Sequence, residues 1–167
     1  MKTFSELPKK KSMKEIPIIP HTGIGPLHLQ MSRQQIEEIV NRLHAKFSSQ
    51  RDSSVLIAED LEEDGYTRYQ DDSFFLMIKY KKGSAIEICV NRDLRDGGHV
   101  IVTLLGIDVF CTPAKQLVTK LKQLSSCSCD VSDERFGTNY EFADLGIRLW
   151  REDGSDEYGC FDIIGIN

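Results

Sequence analysis

Long apolar runs are missing from this sequence. No segment approaches the ~18 consecutive apolar residues that a membrane-spanning helix needs, although 40% of the 167 residues are hydrophobic. The lysine-rich N-terminus is not followed by the apolar core of a secretory signal. Both absences predict a cytoplasmic protein that does not associate with a membrane.

The cysteines do not form a recognisable framework. Their odd number, in a chain of ordinary core-forming composition, indicates reduced thiols rather than disulfides. The one close pair, Cys127 and Cys129, is separated by a single residue, whereas zinc sites use spacings of about two to four and a second ligand pair. We expect free thiols, with an occasional disulfide or a redox role for this pair as the alternative. The five cysteines are Cys89, Cys111, Cys127, Cys129 and Cys160.

Catalytic and cofactor motifs are missing as well. The sequence contains no Gly-x-Ser-x-Gly elbow, no His-Glu-x-x-His helix and no P-loop. Gly23 and Gly25 do not begin a dinucleotide-binding loop, because Pro26 removes a phosphate-facing N–H and the third glycine is absent. The four histidines are scattered: His21, His28, His44 and His99. The sequence therefore predicts neither an enzyme nor a cofactor or metal site.

Charge is unevenly distributed along the chain. Residues 1–51 contain nine Lys/Arg and four Asp/Glu, and residues 52–167 contain twelve and twenty-two, so a net charge of −5 combines +5 with −10. An acidic body disfavours nucleic acid, whose phosphates are bound by Lys and Arg. It favours a basic protein partner through steering and complementary potentials, although acidic surfaces also serve solubility alone.

A Gly/Pro-containing segment, residues 23–32, precedes the most strongly periodic stretch. Ser32 is a good N-cap, and Gln35 three residues later completes a capping box. The apolar positions that follow predict one buried helix face: Ile36, Ile39, Val40, Leu43 and Phe47. A looser copy at residues 106–112 precedes a second predicted helix, with Thr112 as its cap. The apolar stripe of that helix is Leu117, Val118, Leu121 and Leu124.

Strand-like segments with short connections follow each predicted helix. Those after the first predict an antiparallel meander: residues 66–70, 73–80, 84–91 and 99–105. Those after the second are residues 139–152 and 157–166. The proline-flanked residues 16–20 are predicted to lie along a sheet edge. Residues 59–65 and 125–133 are predicted loops.

The two halves align with each other. At an offset of 71, Tyr69 matches Tyr140, and the apolar Phe74, Leu76 and Ile78 match Leu145, Ile147 and Leu149. A helix with a small sheet buries one face only, and two such units can join their sheets edge to edge. We predict an α+β fold: a tandem repeat of helix plus antiparallel strands that forms one curved sheet with two helices on one face. The predicted divisions are an arm at residues 1–15 and units at 16–105 and 106–167, which we expect to form one compact domain.

Aromatic side chains among carboxylates indicate a protein-binding surface on the strands. Tyr and Trp are intermediate in burial, so the alternative is that they cap the core. The candidate partner-binding residues are Tyr66, Tyr69, Asp71, Asp72, Glu141, Asp144, Trp150, Glu152, Asp156 and Tyr158.

The segment Gly23-Ile24-Gly25-Pro26-Leu27-x-Leu29-x-Met31-Ser32 resembles the opening of small bacterial proteins in which such a stretch precedes a capped helix and an antiparallel sheet. Similar openings occur in the outer-membrane assembly lipoprotein BamE and in beta-lactamase inhibitory proteins, which are tandem helix-plus-sheet repeats that bind an enzyme with the concave sheet. Gln30 stands where the related segments carry Gly. The resemblance implies a binding protein, and it extends by type to immunity proteins of secreted toxins.

Composition, charge and resemblance together predict an immunity or inhibitor protein. It would neutralise a basic, nuclease-type toxin domain by occlusion, through an acidic sheet face that carries the aromatic residues. It would have no cofactor and would be a monomer or a weak homodimer. The alternative is a small-ligand-binding α+β module that uses the space between helix and sheet.

Overall fold

The fold is described from a computed structural model, which covers residues 14–47, 57–61, 65–70, 75–93, 100–156 and 158–167. Within these residues, two α-helices and two mostly antiparallel sheets confirm the predicted α+β class. The helices are α1 (Arg33–Phe47) and α2 (Ala114–Leu121). The strands are β1 (Lys14–Ile19), β2 (Gly23–Ile24), β3 (Leu27–His28), β4 (Ile57–Leu61), β5 (Tyr66–Gln70), β6 (Phe75–Lys81), β7 (Ser84–Asn91), β8 (Val100–Leu104), β9 (Ile107–Asp108), β10 (Cys127–Cys129), β11 (Asn139–Phe142), β12 (Ile147–Trp150) and β13 (Ile163–Ile166).

The capping box predicted for α1 is present. The backbone N–H of Gln35 donates to Oγ of Ser32 over 3.2 Å, and the backbone N–H of Ser32 donates to Oε1 of Gln35 over 3.0 Å. Ile36, Val40 and Leu43 are buried on the predicted face. Helix α2 begins differently, because Pro113 precedes it without any side-chain cap, so the prediction that Thr112 caps the helix is wrong.

The larger sheet has eight strands in the order β10-β11-β12-β13-β7-β6-β5-β4, all antiparallel. Strands β4–β7 follow α1 and strands β10–β13 follow α2, and the last strand of each unit pairs with the other at the β7–β13 seam. Ile88 lies opposite Ile166 there, and Val90 opposite Ile164. This is the long antiparallel sheet, built from two units joined edge to edge, that the repeat predicts.

The smaller sheet was not expected. Its order is β3-β2-β1-β8-β9, and β1 pairs with β8 in parallel. The predicted edge position of residues 16–20 is therefore wrong for β1, which has neighbours on both sides. The prediction that residues 99–105 continue the meander is also wrong, because β8 leaves the large sheet. Pro17 has no N–H to donate to the sheet, and its carbonyl accepts a hydrogen bond from Gly25 N–H, over 2.8 Å.

One hydrophobic cluster holds the fold together. It combines side chains of both helices, of the smaller sheet and of one side of the larger sheet. Tyr69, Leu76 and Ile78 of the first unit and Tyr140, Ile147 and Leu149 of the second are all buried in it, as the matched pattern predicts. Leu145 lies in a short 3₁₀ helix rather than in a strand, and Phe74 lies outside the described residues.

The structure also bears on the predicted N-terminal arm, on Leu124 and on the prediction that no helix spans a membrane. Lys14 and Glu15 belong to β1, so these two residues are not part of the predicted arm, and residues 1–13 lie outside the described part. Leu124 is 58% exposed beyond the end of α2, so it is not part of the apolar stripe. Neither described helix is long and apolar enough to cross a bilayer.

Candidate protein-binding face of the sheet

Alternation along the strands gives the larger sheet a second face, which we call the open face. Its central row crosses all eight strands and points away from the buried cluster: Glu59, Arg68, Met77, Cys89, Gly165, Arg148, Glu141 and Ser128. The flanking rows contain Leu61, Tyr66, Lys79 and Glu87 on one side and Gln70, Asn91, Ile163, Trp150 and Asn139 on the other. Both units contribute four strands, so the surface spans the whole repeat.

Charges on the described open face are balanced. Three carboxylates and three cationic side chains lie there: Glu59, Glu87, Glu141, Arg68, Lys79 and Arg148. The expectation of an acidic sheet face is therefore wrong for the described residues. The exposed carboxylates of the second unit concentrate instead in the loops at residues 130–133 and 152–156.

The first-unit half of the open face consists largely of satisfied contacts. Nη2 of Arg68 lies 2.5 Å from Oε2 of Glu59 on the neighbouring strand. The ammonium of Lys79 lies 5.3 Å from the ring centroid of Tyr66, in cation–π geometry. Tyr66 in turn donates its hydroxyl to Oε2 of Glu87 over 2.6 Å. Burial, followed by this hydrogen bond to a carboxylate, raises the pKa of Tyr66 well above its ordinary value.

Gly165, at the β7–β13 seam, leaves space in the centre of the open face for the carboxylate of Glu87 to be buried. A Cβ at Gly165 would lie 2.9 Å from Sγ of Cys89 and 3.4 Å from Oε1 of Glu87. Glu87 occupies this space and is 7% exposed, and Arg148 reaches its Oε1 from the second unit at 3.6 Å. Burial raises the pKa of the Cys89 thiol, and Glu87 adds to the effect. A thiol held protonated in this way is a poor nucleophile.

The second-unit half of the open face presents groups that remain available. Trp150 is 37% exposed and lies directly opposite Asn139. Glu141, two residues along β11, lies opposite Arg148, but the guanidinium turns to Glu87 instead. Within the described part of the chain, no side chain or backbone group pairs with the Glu141 carboxylate. A surface depression of about 370 Å³ opens beside these residues and is lined by Ser128, Cys129, Asp130, Asn139, Glu141 and Arg148.

The predicted partner-binding residues divide between this face and other places. Tyr66, Glu141 and Trp150 lie on the open face. Tyr69 is 2% exposed on the opposite side of the sheet, where its hydroxyl contacts Glu37 and Tyr80, so it cannot meet a partner. Asp71 and Asp72 lie outside the described residues.

The remaining predicted residues lie outside the strands. Asp144 accepts hydrogen bonds from Ser126 N–H at 2.9 Å and from the hydroxyls of Ser126 and Ser125. These bonds, the backbone bond first, lower its pKa, and they identify it as a residue that fixes a turn. Glu152 and Asp156 are exposed in the loop after β12.

Tyr158 is 81% exposed and lies beside α2, not on the open face. It lines a groove along α2, of about 490 Å³, together with Pro113, Lys115, Gln116, Thr119 and Lys120. Both depressions described here open at the surface, and neither lies between helix and sheet, where the small-ligand alternative would need one. No group of three or more metal-ligating side chains occurs among the described residues.

Sequence reasoning missed the role of Glu87 and Arg148. The signal that could have found Glu87 is a carboxylate within the alternating run Ser84–Asn91, where its neighbours Ala85, Ile88 and Val90 are all buried. Comparison of the chain with protein-family models, with curated proteins and with solved structures found no match. The function of the chain is therefore inferred from the open face and the residues around it.

Proposed function

We propose that this chain is a binding protein of the immunity or inhibitor type, which neutralises a basic, nuclease-type toxin by covering it with the open face. The observation that carries the proposal is the face itself: eight strands from two units, with an exposed Trp150 and a partly exposed Met77 among charged side chains. Trp, Tyr, Met and Arg are the residue types enriched in protein interfaces, and Trp and Tyr supply contact area at low entropic cost. The mechanism is occlusion and requires no bond to be made or broken by this chain.

Charge enters the proposal in two ways. The acidic body, with −10 over residues 52–167, would attract a basic partner over long range and raise the association rate at low salt. The balanced charges of the open face would then select a partner whose own charges match them in position. We place this activity in the cytoplasm, with the chain acting as a monomer or weak homodimer and without nucleic acid or a cofactor.

Growth rescue tests this function directly. Bacteria that express a toxic basic nuclease domain encoded beside this chain should grow when the chain is co-expressed and stop when it is absent. Trp150→Ala should weaken the complex about tenfold or more, because an exposed aromatic anchor is removed from the contact. Tyr158→Ala is the matched control, since it removes an aromatic ring from the α2 groove.

Two results would overturn the proposal. One is the absence of a complex between the purified chain and that nuclease in isothermal titration calorimetry. The other is a complex that tolerates Trp150→Ala but is lost with Tyr158→Ala, which would assign binding to α2. The association rate of the wild-type pair should also fall between 50 mM and 500 mM salt, as screening requires.

A further inference from the structure

Glu141, on the open face, does not pair with the cationic side chain that lies directly opposite it on the neighbouring strand. Glu141 and Arg148 are directly opposite each other on β11 and β12, a position where opposite charges normally pair. Arg148 instead crosses Gly165 to reach Glu87, 3.6 Å away, because the missing side chain at Gly165 opens that path. The charge of Arg148 is thereby balanced by Glu87, and no described residue balances that of Glu141.

The other carboxylate at the depression is already occupied. Asp130 accepts hydrogen bonds from the N–H and the hydroxyl of Thr138, at 2.9 and 2.6 Å, and from Asn139 N–H at 3.1 Å. The hydroxyl bond to Thr138, first among these causes, lowers the pKa of Asp130, so the group stays negatively charged. It adds to the negative potential of the depression while Glu141 offers the free acceptor oxygens.

An aromatic surface lies next to that acceptor. Trp150 and Asn139 are direct cross-strand neighbours, and Glu141 is the next residue of β11 on the same face. Diagonal neighbours of this kind are about 7–8 Å apart, within reach of one long side chain. The indole is exposed, and Asn139 neighbours both residues, since it lies opposite Trp150 and two residues before Glu141 on β11.

These groups together match one side chain. A guanidinium stacks on an aromatic face and donates two parallel hydrogen bonds to a carboxylate, whereas an ammonium offers a single strongly hydrated point charge. We propose that Trp150, Glu141 and Asn139 form a receptor for an arginine side chain that a protein partner presents to the second-unit half of the open face. This inference rests on the proposed function, and it names the partner chemistry at that surface.

The chain provides its own probe for this site. Trp150 is the only tryptophan, so intrinsic fluorescence reports on the receptor without labelling. The ligand for the experiment is the peptide acetyl-Gly-Arg-Gly-amide, titrated into the full chain at low salt. We expect saturable quenching with a dissociation constant on the order of millimolar, as suits a single side chain.

Peptide and protein variants isolate the chemistry. Replacing arginine in the peptide by citrulline, which keeps the shape and loses the charge, should weaken binding about tenfold, and lysine should fall in between. Glu141→Gln should also weaken binding of the arginine peptide about tenfold. Glu59→Gln is the control, because Glu59 lies on the same face and is already paired with Arg68, and it should change nothing. Equal binding of the arginine and citrulline peptides, or binding unchanged by Glu141→Gln, overturns the receptor.

The receptor and the proposed function can fail separately. If the arginine peptide binds through Glu141 but no nuclease forms a complex with the chain, the receptor stands and the inhibitor function falls. If a nuclease complex forms and its affinity is unchanged by Glu141→Gln and by replacement of each exposed arginine of the nuclease, the function stands and the receptor falls.

Discussion

Arg151 is buried beneath the loops of the second unit, and its Nε donates to the carbonyl oxygen of Gly137 over 2.9 Å. The other guanidinium nitrogens also donate to backbone carbonyl oxygens. Nη1 donates to that of Asp156 over 3.0 Å, and Nη2 donates to those of Arg135 and Gly154 over 3.0 and 3.3 Å. One side chain therefore ties the loop before β11 to the loop after β12. Both loops border the strands that carry Glu141 and Trp150.

Arg151→Ala should cost at least about 3 kcal/mol of unfolding free energy, because it removes charge-assisted hydrogen bonds and leaves buried carbonyls without donors. Arg151→Lys should restore only part of the loss, since an ammonium cannot reproduce the planar fork. Urea denaturation measures both. Arg135→Ala is the control, because its exposed pair with Asp133 should contribute less than about 1 kcal/mol. Similar losses for Arg151→Ala and Arg135→Ala would contradict the assignment.

Gln30 adopts a backbone conformation that suits glycine. Its φ is +71°, a region that costs a residue with a Cβ about 1 kcal/mol. Gln30→Gly should therefore leave stability unchanged or raise it by up to about 1 kcal/mol, with the N–H bond to Ala85 retained. Gln34→Gly, on the exposed side of α1, should lower stability by up to about 1 kcal/mol. In thermal unfolding, the melting temperature should fall for Gln34→Gly and stay equal or rise for Gln30→Gly. A fall of the melting temperature in both variants would show that Gln30 is not strained.

The glycines at equivalent turns of the two units differ in their surroundings. Gly25 (φ +55°) would place a Cβ 3.0 Å from Cγ2 of Ile16, whereas Gly106 (φ +78°) has nothing within 4 Å. Gly25→Val should lose more stability than Gly106→Val, which pays for backbone strain alone. Denaturation midpoints test the order. The folded fraction of Gly25→Val should bind the arginine peptide as the wild type does, and a loss of that binding at unchanged stability would give the turn a functional role.

Stability should fall in mild alkali because of Cys89. Its folded pKa is raised, so the folded state holds the thiol proton more tightly than the unfolded chain. That contribution is complete below the unfolded value of about 8.5 and is lost as the pH rises above it. Tyr66 and Tyr69 have the same sign and act above about pH 10. Cys89→Ser should flatten the dependence between pH 8 and 10, measured by urea denaturation, while Cys111→Ser, at an exposed position, should not.

Local patterns predicted much of the fold. The capping box at Ser32 and Gln35, and the strand bounds 66–70 and 84–91, follow from side-chain chemistry and alternation, which the sequence contains. The apolar residues 55–58 indicate a strand or the bridge to one, but the continuation of β4 through residues 59–61 was not predicted, because Glu59 and Asp60 indicate a loop. Their charges are compensated only across strands, by Arg68 and by Thr67. Strand β10 was missed for a related reason, since its cysteines are placed by pairing with β11.

The candidate site was predictable in part. Tyr66, Glu141 and Trp150 were identified as surface residues, and they lie on one face. The sequence signals Glu87 only as a carboxylate within the alternating run Ser84–Asn91. It does not show that Glu87 is buried, because the space that the side chain fills is left by Gly165, 78 positions away. Partner choice of Arg148 depends on the same space. The contact between Glu87 and Arg148 depends on residues of three strands, β7, β12 and β13, so it cannot be read from any one segment of the sequence.

The seam at β7 and β13 also limits how such units can be combined. Equivalent strands pair there in antiparallel fashion, which is an isologous contact: each copy uses the same edge, and the contact is then closed. That edge therefore joins only two units, unlike the repeated interface of an open-ended solenoid. A single unit with this edge could form a symmetric dimer of the same kind, and here the two units are covalently linked. Linkage frees the halves to diverge, so that one retains self-satisfied charges while the other exposes an indole and an uncompensated carboxylate.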